Sequence, residues 1–396
     1  MTEHLLAVMS QIAWPLALAI AWLVGELGHR WLALPRISGY GIAGFLMAAS
    51  QGGFLPNPSG TPVALLADVA FALILFELGY RINLGWLRAN PWLGVTSLIE
   101  AAGTFCVVFL IARAFSVALV PALLLSALAM STSPAAVLRV ANEARSSGQV
   151  TERMLHLSAF NCVLAVIVFK VVVGYAVLAS AGSVLQAVWS SLVVLLVSAG
   201  LGALFGVAVP GLLRALGRLA RNATVGFALA VLLLTAVTHA FKFSPLLAAL
   251  AFGLVARHRR VVLSQVQRNF GALGDLLTVL LFVFVAATLD WRQVLAGIEL
   301  ALALVVGRSL VKTVATTALA RLSGVTWRKG VLTGLALSPL SVFVILLLEQ
   351  TRHLQLDLLG EVTGMAAMVL LLEIIGPLVT RCALQWAGET HQDRET

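Results

Sequence analysis

The chain has few charged residues: Asp, Glu, Lys and Arg make up 11% of its 396 residues, against about 25% in typical soluble domains. Hydrophobic residues make up 60%, and the mean hydropathy is +1.01. This composition excludes a soluble globular domain. It predicts a membrane protein with room for about a dozen helices of roughly 20 to 25 residues each.

Cysteine is also scarce, and Cys106, Cys162 and Cys382 all lie inside apolar segments. An odd number of cysteines in such positions does not indicate a disulfide framework. The net charge of +9 does not indicate a nucleic-acid partner, because the basic residues lie between apolar runs rather than in a stripe. A nucleophile–base pair and a cluster of metal ligands are likewise lacking, so we expect neither an enzyme nor a cofactor or metal site.

Apolar segments of near-spanning length account for most of the chain. They predict an all-α, polytopic membrane protein of about 13 transmembrane helices, which we expect to form a single transmembrane domain over 1–386 with a short polar tail over 387–396. The start of the chain lacks the basic region and cleavage site of a signal peptide, so the first segment is expected to be a retained helix. The predicted segments are 5–28, 37–54, 62–80, 91–113, 118–141, 154–179, 184–209, 223–241, 244–256, 272–289, 294–319, 328–350 and 358–386.

The distribution of Lys and Arg predicts the orientation of these helices. Connections after odd-numbered segments, with the tail, hold 19 of the 26 basic residues, the other connections hold 4, and 3 lie inside helices. Basic residues are enriched on the cytoplasmic side of membrane proteins. We therefore expect a multi-pass protein of the plasma (inner) membrane, with the N-terminus outside and the C-terminus in the cytoplasm.

Two apolar segments are interrupted in the middle by a proline and small hydroxyl residues. Segment five reads ALAMSTSPAAVLRV around Pro134, and segment twelve reads GLALSPLSVFVILL around Pro339. The prolines are 205 positions apart, and the two segments run in opposite directions. These features predict inverted repeats, around 91–179 and 294–386, with two crossed discontinuous helices. In transporters, such a pair of broken helices forms the binding site near the middle of the bilayer.

Charged residues inside the predicted helices need a partner, a cavity or a function. Arg308 and Lys312 are one turn apart on segment eleven, on the same helix face. Lys312 could instead extend toward the cytoplasmic interface. Glu100 and Glu373 lie well inside segments four and thirteen, and either could neutralise Arg308 or carry a proton. We therefore regard these two acids as candidate proton carriers.

Polar side chains on the broken helices and on segment six complete the candidate site. Ser158, Asn161 and Cys162 lie within one turn of segment six, although Asn161 could simply form an interhelical hydrogen bond, and Cys162 alone could be a small buried hydrophobic residue. Hydroxyl groups and freed carbonyls at the breaks are expected to add ligands for an ion or substrate; the hydroxyls belong to Thr132, Ser133 and Ser338.

In these features the chain resembles the monovalent cation:proton antiporter superfamily, the sodium/proton and potassium/proton exchangers. The matching stretches occur in the family's order and together extend over nearly the whole chain. The most specific one is residues 130–155. They are LPRISGYGIAGFL (34–46), LFELGYRINL (75–84), MSTSPAAVLRVANEARSSGQVTERML (130–155), NCVLAVIVF (161–169), VVGRSLVK (305–312) and GLALSPLSVFVI (334–345).

The resemblance implies a homodimer of thirteen-helix protomers, each with a dimerisation domain and a mobile core. It implies that a monovalent cation and a proton bind in competition where the broken helices cross. Asn161 matches the first position of the family's Asn-Asp or Asp-Asp pair, and Arg308 matches a basic residue that follows a glycine. Thr132 and Ser158 match positions at which relatives supply a hydroxyl or carbonyl ligand.

The chain departs from the family at the site itself. Cys162 replaces the essential second Asp of the pair, and Ser133 replaces a carboxylate found in some relatives. A buried thiol is a poor ligand for a hard alkali cation, so the proton-carrying acid must lie elsewhere. The leading hypothesis is monovalent cation:proton antiport by alternating access. Two alternatives stay open: a transporter of small anions or organic solutes on the same scaffold, and a non-transporting sensor or scaffold protein.

Overall fold

The structure is a computed structural model that describes residues 2–57, 62–178, 184–215, 219–259, 270–341, 344–345, 347 and 363–390. Over these residues the chain is predominantly helical, which confirms the all-α prediction. The α-helices are α1 Thr2–Leu32, α2 Arg36–Met47, α3 Pro62–Arg81, α4 Leu84–Ala89, α5 Trp92–Ala114, α6 Leu119–Ala129, α7 Pro134–Glu143, α8 Gln149–Leu178, α9 Val184–Ala215, α10 Leu219–Ala240, α11 Pro245–His258, α12 Gly271–Ala287, α13 Trp291–Ala296, α14 Ile298–Ala318, α15 Trp327–Ala336 and α16 Thr363–Trp386.

Within the described residues, eight stretches are long and apolar enough to cross a membrane, judged by length and composition. The most buried of them, Leu119–Glu143, contains α6, the break and α7, and 89% of its most apolar window is inside the protein. By contrast, only 22% of the corresponding window in Leu192–Ala215 is buried. The first broken helix is therefore at the centre of the protein, while α9 has a largely apolar outer surface.

The helices follow the predicted segments in order. Segment five is divided into α6 and α7 at residues 130–133, as the proline predicted, and α15 ends at Ala336, just before Pro339. The structure adds two short helices, α4 and α13, that hydropathy did not reveal. Residue 179, most of the twelfth segment beyond 341, residues 358–362 and the tail residues 391–396 lie outside the described residues.

The short helices α4 and α13 occupy equivalent places in the two halves, because each one directly precedes a long helix. The Asn83 side chain caps α4 by accepting from the Gly85 and Trp86 backbone N–H groups, and the Asp290 side chain caps α13 by accepting from that of Arg292. The two caps are 207 positions apart, close to the spacing of the prolines. This repetition of short helix, long helix and broken helix agrees with the predicted inverted repeat.

The long helices α5 and α14 approach each other closely at two glycines. A Cβ atom on Gly307 would lie 2.5 Å from Cδ1 of Ile111, and one on Gly103 would lie 2.9 Å from Cγ1 of Val311. Small residues at such positions let membrane helices come close together. The close approach brings the buried face of α5 against the charged residues of α14.

Candidate functional site

The two helix breaks lie in direct contact. The Ser133 backbone N–H donates to the Pro339 carbonyl at 3.0 Å, and the Thr132 hydroxyl donates to the Leu337 carbonyl at 3.4 Å. Pro134 begins α7, where a proline is tolerated because the first N–H groups of a helix have no intrahelical acceptor. The Ser133 side chain accepts from the Ala136 N–H and caps α7. The sequence thus ends one helix and starts the next within four residues.

Arg308 binds the carbonyl groups that the breaks release. Its side chain is fully buried, and all three guanidinium nitrogens donate to backbone oxygens. Cations are favoured near helix C-termini, and both α6 and α15 end at this point. The acceptors are the carbonyls of Ala129 (2.9 Å), Ser131 (2.7 Å), Leu337 (3.4 Å), Ser338 (2.6 Å) and Pro339 (3.3 Å).

Lys312 is also fully buried and forms an ion pair with Glu100. Its ammonium group donates to the Met130 carbonyl and to the Thr132 hydroxyl, each at 3.2 Å. Lys312 therefore points into the crossing of the broken helices rather than toward the interface. Three oxygen atoms of different chemical types surround the ammonium: a carboxylate, a carbonyl and a hydroxyl.

Glu100 has one carboxylate oxygen in use and one without a partner. Oε1 accepts from Lys312 and, at 3.3 Å, from the Thr104 hydroxyl. Oε2 is buried and has no hydrogen-bond partner among the described residues. An unsatisfied carboxylate oxygen inside a protein is energetically costly. It therefore marks a position that a cation or a proton can occupy.

Asn161 and Cys162 also contact Thr132. The Asn161 amide donates to the Thr132 hydroxyl at 3.5 Å, and its oxygen accepts from Ser97 at 3.0 Å. The Cys162 thiol donates to the Thr132 carbonyl at 3.1 Å. The side chains of Glu100, Lys312, Thr132, Asn161 and Ser97 thus form one continuous polar chain through the centre of the protein.

Some of the predicted site residues have other contacts. The Ser158 hydroxyl donates to the Leu155 carbonyl of its own helix, and the Ser338 hydroxyl donates to the Leu335 carbonyl near the end of α15. Ser338 nevertheless contributes its carbonyl oxygen to Arg308. Glu373 is buried on α16 and forms neither a hydrogen bond nor an ion pair among the described residues. Among the described residues, neither Glu100 nor Glu373 forms an ion pair with Arg308, and Glu100 pairs with Lys312 instead; that either acid carries a proton stays a prediction.

Ser97 and Thr104, two hydroxyl residues near Glu100, were not identified from the sequence as part of the site. Ser97 and Thr104 lie three positions before and four positions after Glu100, so all three share one face of α5. Both are buried. That spacing was a usable signal, because polar residues at helical intervals around a membrane acid indicate a polar interior face.

A cavity of about 870 Å³ opens between α1, α2, α7 and α12. Its wall includes the C-terminal half of α7. There Glu143 lies 2.6 Å from Nδ1 of His29 and forms an ion pair with Arg36 (3.3 Å), and Arg139 pairs with Asp275 (3.4 Å). The other end of α7 begins at the crossing. A helix of ten residues is about 15 Å long, so α7 connects the cavity to the site.

The chain is similar in sequence and in fold to known membrane antiporters. The family model for the transmembrane domain of sodium/hydrogen exchangers matches residues 16–386. The fold is similar to the sodium proton antiporter MjNhaP1 from Methanocaldococcus jannaschii, solved at pH 8, with a TM-score of 0.66, 16% identity, and 97% of this chain and 98% of that chain covered. An electron-microscopy structure of MjNhaP1 gives a TM-score of 0.71, 17% identity and 96% coverage of each chain.

No curated protein matches the chain significantly. The family model, however, covers most of it, in agreement with the resemblance drawn from the sequence motifs, and the likeness to MjNhaP1 supports the fold independently. The chain therefore belongs to the sodium/hydrogen exchanger family of transmembrane proteins.

Proposed function

We propose that this protein exchanges a monovalent cation for a proton across the membrane by alternating access, with the Glu100–Lys312 pair as the exchanging group. The family and the antiporter fold support the exchange of cation and proton. The identity of the exchanging group rests on the position of the Lys312 ammonium, which is surrounded by oxygen atoms at the crossing of the broken helices.

The ammonium occupies a position suited to an alkali cation. Hard cations take oxygen ligands, including backbone carbonyls that replace water molecules. Lys312 already contacts a carboxylate, a carbonyl and a hydroxyl. A cation that displaces the ammonium gains the same three oxygens, together with the partnerless second oxygen of Glu100.

The exchange balances charge and protons. In the proton-loaded state the carboxylate of Glu100 pairs with the ammonium of Lys312, and the pair is neutral. When a cation takes the place of the ammonium beside Glu100, Lys312 moves away and releases one proton to become a neutral amine. One cation is then bound for one proton released, and the net charge of the buried site is zero both before and after the exchange.

This assignment explains how the site functions with Cys162 in place of an acid. The thiol donates to the Thr132 carbonyl, so it has a structural role as a neutral group. The negative charge comes from α5 instead. Asn161 donates to the Thr132 hydroxyl and helps to hold it in place.

Arg308 is proposed as a permanent structural cation. Its guanidinium is engaged by five backbone carbonyls, and it would have to abandon them to bind a substrate. This geometry argues against the alternative of an anion transporter. Thermal unfolding in detergent separates the two hypotheses: sodium, potassium or lithium should stabilise the protein, whereas stabilisation by chloride or organic anions alone would favour the alternative.

We further propose that the cavity between α1, α2, α7 and α12 opens to the cytoplasm, with the protein in the plasma (inner) membrane and its N-terminus outside. The basic residues Arg36 and Arg139 at this cavity belong to connections predicted to be cytoplasmic. A homodimer is the assembly that we expect from the family.

Flux measurements in vesicles test the proposed exchanging group. Purified protein is reconstituted with a pH gradient, and proton movement is followed as sodium, potassium or lithium is added. Glu100→Gln should abolish exchange, and so should Glu100→Gln with Lys312→Gln, which leaves no buried charge without a partner. Glu299→Gln, an exposed acid on α14, is the matched control and should exchange normally.

Wild-type rates in Glu100→Gln would show that the proposed exchanging group is wrong. A wild-type protein that moves neither protons nor any of the three cations would support the non-transporting alternative.

A further inference from the structure

Glu373 is another buried acid of a membrane-spanning helix, and it forms no hydrogen bond with the Glu100–Lys312 pair. It occupies the middle of α16 and is 5% exposed. Both of its carboxylate oxygens are buried without a hydrogen-bond partner among the described residues. Glu100, by contrast, has an ammonium beside one oxygen. Glu373 therefore differs from Glu100 in having no compensating charge among the residues that the structure describes.

The surroundings of Glu373 connect α16 to both α2 and a helix break. A Cβ atom on Gly41 of α2 would lie 3.2 Å from the Oε1 atom of Glu373, so α2 packs directly on the carboxyl group. The Ser38 hydroxyl donates to the Ile374 carbonyl at 3.0 Å and fixes this contact. One turn further along α16, a Cβ atom on Gly376 would lie 2.7 Å from Cα of Pro339.

Charged and titratable groups on the helices that pack against α16 have other contacts. On α2, Arg36 pairs with Glu26 and Glu143, and Tyr40 packs against Gly25. On α16 itself, Arg381 donates to the Ala33 carbonyl, and Cys382 is partly exposed. On α14, Glu299 is exposed, Arg308 binds carbonyls and Lys312 pairs with Glu100. On α15, Arg328 donates to the Trp386 carbonyl and Lys329 lies near Glu389, and on α13, Arg292 lies over the Trp291 ring. On α7, Arg139 pairs with Asp275, and Glu143 contacts His29 and Arg36.

An ionised carboxylate in this position would have neither a counter-ion nor a hydrogen-bond donor among the described residues. Burial without a compensating charge favours the neutral form of an acid. Acids within membrane segments are rare and usually mark ion pathways or proton relays. An acid that served only to fill space between α2 and α16 would gain nothing over a neutral residue of the same shape.

We propose that Glu373 is a second exchangeable proton site, which binds a proton where α16 packs on α2 and releases it during the transport cycle. This proposal rests on the proposed function, because it requires that α16 and α2 change their contact as the protein alternates between its two states. The Glu100–Lys312 pair exchanges one cation for one proton without net charge. A further proton released by Glu373 and regained from the opposite side adds one charge per cycle, so exchange becomes sensitive to the membrane potential.

The first test reads the proton directly and does not depend on transport. Infrared spectra of the purified protein at neutral pH should contain the carbonyl stretch of a buried, protonated carboxylic acid. Glu373→Gln should remove this band, whereas Glu100→Gln should leave it. Gly41→Ala keeps the acid but crowds it, and should shift the frequency of the band. A spectrum without the band, or a band unaffected by Glu373→Gln, would overturn the proposal.

The second test measures coupling in vesicles whose membrane potential is clamped with potassium and valinomycin, with sodium or lithium as the exchanged cation. Wild-type exchange should change with the imposed potential. Glu373→Gln should still exchange cation for proton but lose its response to the potential. An equal response in wild type and Glu373→Gln would contradict the proposal. Exchange that persists in Glu100→Gln would instead contradict the proposed function, while the infrared result for Glu373 would remain valid.

Discussion

The helices α5 and α14 occupy equivalent places in the two halves of the protein but contribute opposite charges to its centre. Glu100 on α5 and Arg308 on α14 are 208 positions apart, close to the spacing of the helix caps. α14 carries a second cation, Lys312, where α5 has the hydroxyl of Thr104. The two helices are therefore alike in position, but α5 contributes one acid, Glu100, and α14 contributes two cations.

This difference follows from the polarity of the broken helices. α6 and α15 both end at the crossing, so their C-terminal carbonyls create a negative potential that favours cations. Arg308 takes up most of these carbonyls, while Lys312 takes one carbonyl and the acid from α5. Arg308 is thus held by the backbone alone, whereas Lys312, which we propose is exchangeable, is held by a side chain as well.

Removing the fixed cation should have the largest effect. Arg308→Met removes the guanidinium donor from five carbonyls, of which Leu337 and Pro339 keep the donors from Thr132 and Ser133. Each buried group left unsatisfied costs about 1–3 kcal/mol, so the protein should lose several kcal/mol of stability or fail to fold. Arg308→Lys should recover part of the loss, because one ammonium reaches fewer acceptors than a planar guanidinium. Thermal unfolding in detergent measures both variants. An unfolding temperature of Arg308→Met equal to that of wild type would show that the guanidinium does not support the crossing.

Removing one member of the exchangeable pair should have the next largest effect. Glu100→Gln or Lys312→Gln alone leaves a buried charge uncompensated and should destabilise the protein by about 3–5 kcal/mol. Glu100→Gln with Lys312→Gln should lose less stability than the two single variants lose in sum, since neither buried charge remains. Chemical or thermal unfolding of all four proteins measures the coupling. Simple additivity would mean that the two groups are not a pair.

Moving the acid back to α8 should restore a lost function. Cys162→Asp places a carboxylate beside Thr132, next to Asn161, and should return cation-dependent proton flux to a protein that carries Glu100→Gln. Cys162→Ser is the matched control, because it alters the thiol without adding charge, and it should not rescue flux. Rescue by neither variant would show that the negative charge must reach the site from α5.

The helix caps should show the smallest effects and the greatest similarity between the two halves. Asn83→Ala and Asp290→Ala each remove one N-cap, which should cost about 1 kcal/mol and leave exchange unchanged. Asn83→Asp and Asp290→Asn should retain most of the stability. Clearly unequal losses at the two caps would mean that α4 and α13 are not equivalent supports.

Much of the fold could be predicted from the sequence. Long apolar runs, the alternation of basic connections, and Pro134 and Pro339 indicated the helices, their order and the broken pair, because each signal depends on local chemistry. The short helices α4 and α13 were missed, since helices of six residues have no hydropathy signal. Their caps, Asn83 and Asp290, were the local evidence that they begin there.

The candidate site was only partly predictable. The sequence identified Glu100, Lys312 and Arg308 as buried charges, but the partner of each depends on how α5, α14 and the breaks pack together. Side-chain spacing on one helix cannot show that Lys312 bonds to Glu100 and that Arg308 bonds to carbonyls 177 and 179 positions away. Those pairings require the close approach of α5 and α14 at Gly103 and Gly307.

Proton release on cation binding reports directly on the proposed exchange at the Glu100–Lys312 pair. A pH indicator in weakly buffered detergent solution reports protons as sodium, potassium or lithium is added to the purified protein. We expect at least one of these cations to release protons from wild type, and Glu100→Gln with Lys312→Gln to abolish the release at saturating cation. Wild-type protein that binds a cation without releasing a proton, or a double variant that releases as much as wild type, would contradict the proposed exchange.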